Sequence, residues 1–150
     1  MTRLAGFWFV YMAGLGLVYP FQAVWYQEGA GLTGWQLGMV LALRPIVGIV
    51  GQPFFGRLAD RTGARALTLA GVLGCGAVAY LALPWAPGVA AIVGVAAVAA
   101  FFGTSVMPLG LSVTMAALGE RASERFGSVR MWGTVGYAVA LFAFPRLLDL

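Results

Sequence analysis

Residues 88–118 read GVAAIVGVAAVAAFFGTSVMPLGLSVTMAAL, an apolar run that contains no charged residue. Crossing a bilayer core of about 30 Å takes roughly 20 apolar residues in a helix. Similar runs recur on both sides, and we mark five candidate spans, at Leu4–Tyr26, Trp35–Phe55, Ala66–Trp85, Gly88–Leu118 and Met131–Leu148. The fourth run exceeds one straight crossing, so we expect it to tilt, to kink at Pro108 or to continue beyond the membrane. The pattern predicts an all-α integral membrane protein.

The overall composition agrees with a lipid environment. Hydrophobic residues make up 61% of the 150-residue chain and charged residues 9%, whereas soluble domains carry roughly 25% charged residues. With so little polar surface, the chain is unable to cover a water-facing globule of its size, and the lipid bilayer is its expected partner. The basic residues lie mainly in the short gaps between apolar runs, not on one polar face with aromatic stacking groups, so we do not expect nucleic-acid binding.

Histidine and cysteine usage excludes several kinds of chemistry. The chain has no histidine, and Cys75 is its single cysteine. An internal disulfide, a Cys/His zinc cluster and a nucleophile activated by histidine are therefore excluded. The predicted spans also contain no pair of carboxylates. We expect neither an enzyme nor a bound metal or cofactor.

The arginines predict how the chain is oriented. Most of the nine lie at the N-terminus, between the second and third spans, or between the fourth and fifth, namely Arg3, Arg57, Arg61, Arg65, Arg121, Arg125 and Arg130. The gaps on the opposite side contain no arginine. The positive-inside rule then places the N-terminus in the cytoplasm. We expect a multi-pass protein of the bacterial inner membrane.

Small residues four positions apart predict close contacts between helices, because lipid tails provide no hydrophobic drive for helix association. Such pairs are Gly34 and Gly38, Gly71 and Cys75, Ala90 and Gly94, and Gly136 and Ala140. They indicate packing and carry no information on function.

Polar side chains inside the predicted spans mark a candidate path for a substrate. Arg44 lies near the middle of the second span, where an arginine costs about 2.5–3.5 kcal/mol on insertion scales. One interpretation places Arg44 in an aqueous cavity against an anionic or hydroxylated substrate. The other has Arg44 cap carbonyls freed by Pro45, or pair with a helix outside this chain. The first and fourth spans, which include Gln22 and Ser112, hold most other polar groups and are expected to face a cavity.

A charged motif separates the second and third spans and reads Gly56-Arg57-Leu58-Ala59-Asp60-Arg61-Thr62-Gly63-Ala64-Arg65. We interpret it as a short cytoplasmic turn in which Gly63 allows a tight backbone and Asp60 accepts hydrogen bonds. An ordinary solvated loop is the alternative interpretation. The motif resembles the signature G-x-L-A-D-R-x-G-x-R of the major facilitator superfamily. This resemblance implies twelve helices in two halves that rock about a central site. It also implies a gating motif, made of Gly56, Asp60, Arg61, Gly63 and Arg65.

Three further segments narrow the resemblance. They are Tyr19-Pro20-Phe21 with Trp25, Gln52–Gly56, and Phe126–Tyr137. Together they are similar to the branch of the superfamily that contains lactose permease, phenylpropionate permease and nucleoside–proton symporters.

The branch resemblance implies roles for two residues of the fifth span. Arg130 would bind substrate hydroxyls and Tyr137 would stack on a substrate ring, and their spacing of seven residues puts both on one helix face. In the simpler alternative, Arg130 is one more cytoplasmic charge. Members of that branch carry an acidic residue on the fourth helix. The corresponding position in this chain is near Ser112, and the fourth span contains no carboxylate. The resemblance therefore does not imply specificity for galactosides.

These features together predict the N-terminal part of a secondary transporter. It would move a small organic solute, such as a sugar, nucleoside or aromatic acid, by alternating access with proton coupling. Five spans are one fewer than half a transporter of this family contains, so we expect a C-terminal half as the missing partner. Two alternatives are drug efflux within the same superfamily, against which Arg44 and Arg130 argue, and an inactive remnant without transport of its own.

Overall fold

The computed structural model describes residues 2–148, and within this range the chain is helical and contains no strand. The five α-helices are α1 (Thr2–Val24), α2 (Gly34–Thr62), α3 (Arg65–Ala82), α4 (Gly88–Leu118) and α5 (Ala122–Leu148). A π-helical turn follows α1 at Trp25–Gly29, and 3₁₀ turns lie at Leu83–Trp85 and Gly119–Arg121. The all-α fold class predicted from the sequence is confirmed.

Four helical runs of the described chain are long and apolar enough to cross a membrane, judged by length and composition. They are Thr2–Gly29, Gly34–Thr62, Arg65–Trp85 and Gly88–Arg146. The last run contains both α4 and α5, which the short 3₁₀ turn at Gly119–Arg121 joins. The chain is a multi-pass membrane protein.

Two helices extend into segments that the hydropathy pattern places between spans. Helix α2 continues past Phe55 to Thr62, so the greater part of the charged motif forms about two turns of helix and not a loop. Helix α5 begins at Ala122, well ahead of Met131. The reason is that hydropathy reports the part of a helix that suits hydrocarbon, whereas backbone hydrogen bonding continues into the polar interface.

Both ends of α2 have defined caps. Thr33 Oγ1 accepts a hydrogen bond from the Gln36 backbone N–H at 3.5 Å, and Gln36 Oε1 accepts one from the Thr33 N–H at 2.9 Å. This reciprocal pair satisfies two N–H groups at the start of the helix. At the other end, Gly63 adopts the left-handed conformation with φ of 66°. Because only glycine adopts that conformation without strain, Gly63 ends α2 and turns the chain into α3.

The chain divides into two compact units. Unit 1 is formed by Met1–Gly29 and Thr114–Leu150, and unit 2 by Ala30–Val113. Unit 1 is built on α1 and α5, and unit 2 on α2, α3 and the greater part of α4.

In unit 1, α1 and α5 pack side by side and run in the same direction. Near their N-terminal ends, Trp8 lies against Arg130, and near their C-terminal ends the rings of Phe21 and Phe144 are 5.1 Å apart. The contacts advance along both helices together, which defines a parallel pair.

Glycines bring the backbones of α1 and α5 close together. A Cβ atom on Gly16 would lie 2.8 Å from the Tyr137 carbonyl oxygen, and one on Gly136 would overlap the carbonyl of Phe9. Close approach of this kind is how helices associate where no hydrophobic drive exists.

In unit 2, α4 packs against both α2 and α3. A Cβ on Gly51 of α2 would lie 2.7 Å from the carbonyl oxygen of Phe101, and the rings of Phe55 and Phe101 are 5.1 Å apart. On α3, Gly76 faces the side chain of Phe102. Glycine against phenylalanine is therefore the recurring contact in this unit.

Candidate functional site

The centre of the candidate site in unit 1 is Trp8, whose side chain is 0% exposed. The guanidinium carbon of Arg130 lies 5.6 Å from the centroid of the Trp8 ring, within the range of a cation–π interaction. The indole Nε1–H donates a 3.0 Å hydrogen bond to Oγ1 of Thr114, which is 1% exposed. The predicted substrate residue Arg130 is thus connected through Trp8 to the end of α4.

The local sequence explains why Arg130 reaches the indole. Gly133 follows Arg130 by about one helical turn, and a Cβ added to Gly133 would lie 2.9 Å from Cγ of Met12 and 3.6 Å from Cβ of Trp8. The missing side chain lets α5 approach α1 at this level. Arg130 then projects beside Trp8 and not away from it.

Two other aromatic rings restrain the indole. Phe7 lies edge-on to Trp8 with 5.5 Å between ring centroids, and Tyr11 lies edge-on at 6.2 Å. Edge-to-face pairs of this kind are favourable for aromatic rings. The Trp8 ring is therefore held by neighbours on its own helix as well as by α4 and α5.

The other two predicted substrate residues of unit 1 occupy separate places along α1 and α5. Tyr137 is half-buried, and its backbone lies against Gly16. Gln22 donates from Nε2 to Oη of Tyr26 at 3.1 Å, and Tyr26 is fully buried. Arg130 and Tyr137 both lie on the side of α5 that packs against α1.

Arg44 and Ser112 belong to unit 2. Both residues are half-buried. Arg44 lies in the first half of α2, directly before Pro45, and Ser112 in the last third of α4. A half-buried arginine at this position of an apolar helix agrees with either role predicted for Arg44.

The charged motif contains an ion pair. Nη2 of Arg65 donates to Oδ1 of Asp60 at 3.0 Å, with the two side chains 45% and 67% exposed. The pair spans the turn at Gly63 and joins the last turn of α2 to the first turn of α3. Arg61 is exposed and forms no ion pair with any described residue. A Cβ on Gly56 would meet no atom within 4 Å among the residues described, so packing there does not require glycine.

A surface cavity of about 410 Å³ lies beside the motif. It is lined by residues of α2, namely Val50, Pro53, Phe54, Arg57, Leu58 and Arg61. Arg57 and Arg61 of the motif therefore share one surface with apolar residues of α2.

Sequence reasoning missed Trp8 and Thr114. Trp8 stands in an apolar run near a chain end, where a tryptophan is typical of a membrane interface. Its partner Thr114 is 106 positions away, and no local pattern connects the two. The sequence marks Thr114 only as a polar residue in an apolar helix. Several other residues of α4 are also polar, so this feature does not single out Thr114.

Comparisons with known proteins agree with this architecture. A family model described as "MFS_1 like family" matches residues 1–150. The chain is 30% identical over 148 residues to a protein of Bacillus subtilis (strain 168) named uncharacterized transporter YwbF, in an alignment covering 99% of this chain and 37% of that protein. It is 28% identical over 143 residues to the maltose permease of Geobacillus stearothermophilus, covering 95% and 36% respectively. The chain thus spans little more than a third of the length of these relatives, and no solved structure matches it.

Proposed function

The chain belongs to the MFS_1-like family, and from this membership we propose that it is the N-terminal part of a secondary active transporter. The match over residues 1–150 confirms the resemblance to the major facilitator superfamily. The proposed transporter moves a small organic solute by alternating access, with protons as the coupling ion and a C-terminal half completing the path.

The observation that carries the proposal is the environment of Arg130. Arg130 is half-buried on the α1-facing side of α5, and its guanidinium carbon lies over the fully buried indole of Trp8. A charge that serves only as a cytoplasmic anchor has no need of a buried aromatic partner. A cation held in this way suits a solute that carries hydroxyl or carboxylate groups, which accept hydrogen bonds from guanidinium.

The proposed solute is a sugar, a nucleoside or an aromatic acid. The name of one relative, a maltose permease, supports the sugar class. Tyr137, Arg44, Gln22 and Ser112 are proposed as further substrate-binding residues, since each is polar, half-buried and carried by a helix of the bundle.

The parallel arrangement of α1 and α5 supports the proposed orientation. Two parallel helices in a membrane begin on the same side, so an odd number of crossings must separate them, as α2, α3 and α4 would provide. The N-terminus and the segment before α5 then share one side with the motif between α2 and α3. These are the arginine-rich segments, and we place them in the cytoplasm of a bacterial inner membrane.

The ion pair in the motif supports a role in conformational change. Exposed ion pairs contribute about 0.2–1 kcal/mol because water and salt screen them, so Asp60 and Arg65 are able to exchange partners at small cost. We propose that Gly56, Asp60, Arg61, Gly63 and Arg65 form a gate whose other side lies in the C-terminal half.

Uptake into proteoliposomes tests the function. The protein, expressed from its complete reading frame, is offered labelled maltose, uridine or 3-phenylpropionate with and without an inward proton gradient. We expect uptake of one solute, faster with the gradient, and loss of that uptake in Arg130→Gln. Arg146→Gln is the matched control, because Arg146 is an exposed arginine near the other end of α5. Normal uptake by Arg130→Gln would refute the binding role of Arg130, and no uptake of any solute by the folded protein would contradict the solute class.

A further inference from the structure

Trp8 makes two interactions through different parts of one side chain. The π face of the indole lies against the guanidinium of Arg130, and the Nε1–H at the ring edge donates to Thr114. Rotation of the ring about its side-chain bonds would break the hydrogen bond and move the face away from Arg130. The orientation of the arginine is therefore coupled to the hydrogen bond with Thr114.

An arginine side chain that binds a solute must first be ordered. It has several rotatable bonds, and restricting them costs conformational entropy. A contact that orders the side chain before the solute arrives removes part of this cost and raises the affinity. The indole of Trp8 provides such a contact, because a fully buried aromatic ring with an occupied N–H has itself a single orientation.

We infer that Trp8 is a positioning residue for Arg130, held in place by Thr114, and that this contact sets the affinity of the transporter for its solute. The inference rests on the proposed function, since it takes Arg130 as the residue that binds solute. Neither Trp8 nor Thr114 needs to touch the solute. Trp8 acts through its π face, and Thr114 acts through the hydrogen bond that fixes that face.

Fluorine NMR tests the contact independently of transport. The protein, expressed from its complete reading frame, is labelled with 5-fluorotryptophan, and the Trp8 resonance is assigned by its loss in Trp8→Phe. We expect the Trp8 resonance to shift in Arg130→Gln and in Thr114→Val, and to keep its position in Arg146→Gln. An unchanged Trp8 resonance in Arg130→Gln would overturn the inference.

Uptake kinetics for maltose, uridine and 3-phenylpropionate test the consequence. Trp8→Leu removes the aromatic face and is expected to raise KM about tenfold, which corresponds to the loss of a partly buried cation–π contact. Trp8→Phe keeps an aromatic face without the N–H, and Thr114→Val removes the acceptor at nearly constant volume, so a smaller rise of about threefold is expected. Thr114→Ser retains an acceptor and should keep the wild-type KM. An unchanged kcat in Trp8→Phe and Thr114→Val separates a positioning role from a general structural defect, which would lower kcat as well.

Failure of the inference and failure of the proposed function give different results. Loss of uptake in Arg130→Gln together with a wild-type KM in Trp8→Phe, Trp8→Leu and Thr114→Val overturns the positioning role and leaves the function intact. Normal uptake in Arg130→Gln contradicts the function itself. If Trp8→Leu does not fold, Thr114→Val still decides the outcome, because valine has nearly the volume of threonine and leaves Trp8 in place.

Discussion

Asp60 and Arg65 form an ion pair across the turn between α2 and α3, with Nη2 of the arginine 3.0 Å from Oδ1 of the aspartate. Both side chains are more than two-fifths exposed. The pair therefore adds little to stability, which agrees with the gating role proposed for the motif.

Replacement of Asp60 by Asn should affect the rate of transport much more than the stability of the fold. We expect the free energy of unfolding in detergent to fall by at most about 1 kcal/mol, because the pair is screened by water, while the initial rate of uptake falls strongly. Arg65→Lys keeps the charge and serves as the control. A large loss of stability in Asp60→Asn, or an unchanged uptake rate, would contradict the gating role proposed for the motif.

Gly63 and Gly56 differ in conformation although both belong to the motif. Gly63 has φ of 66°, where an alanine is strained by roughly 1–2 kcal/mol. Gly56 is helical, and a Cβ added there would meet no described atom within 4 Å. Gly63→Ala should lower the melting temperature, and Gly56→Ala should leave it unchanged or raise it, because alanine is favoured in helices by about 0.5–1 kcal/mol. Equal melting temperatures for the two variants would show that the left-handed turn is not required.

Gly136 controls the distance between α1 and α5. A Cβ at this position overlaps the Phe9 carbonyl, so Gly136→Ala must push the two backbones apart at a cost of about 1–3 kcal/mol. Gly127→Ala on the same helix meets no atom within 4 Å in the described chain and is the control. Thermal unfolding of both variants in detergent measures the difference, and a Gly136→Ala protein as stable as wild type would mean that α1 and α5 pack less closely.

Cysteine accessibility tests the proposed orientation. Cys75→Ala removes the single cysteine of this chain, and Gln27 and Ser123 are exposed positions at which new thiols can be introduced. A membrane-impermeant maleimide should label Gln27→Cys in intact cells, and should label Ser123→Cys only after permeabilisation. Labelling of Ser123→Cys in intact cells would reverse the orientation.

The helices themselves were predictable because each apolar run is a local property. The fourth predicted span, Gly88–Leu118, has the same bounds as α4. For α2 and α5 the apolar run is shorter than the helix. Both helices continue into polar residues, whose backbone groups form the same helical hydrogen bonds as the apolar residues do. The end of α2 depends on the conformation of Gly63, which hydropathy does not report.

The small residues show the limit of pattern reasoning. Gly136 and Ala140 were predicted as a packing pair, and in unit 1 they lie where α1 and α5 approach most closely, beside Phe9 and Gly16. At Gly34, Gly38, Gly71 and Gly94 a Cβ would meet nothing within 4 Å in the described part of the chain. Spacing identifies a smooth helix face, but the identity of the helix that covers it is a tertiary property.

The amino-acid sequence by itself determined the membrane environment of this protein, its helical class and its family. The length of the apolar runs, the distribution of charges and the charged motif are all properties of neighbouring residues. Only the tertiary structure decided that Arg130 lies on Trp8 and that Trp8 is bonded to Thr114. These three residues come from three different helices, and their contact depends on how closely glycines allow α5 to approach α1. Distance along the chain carries no information about that approach.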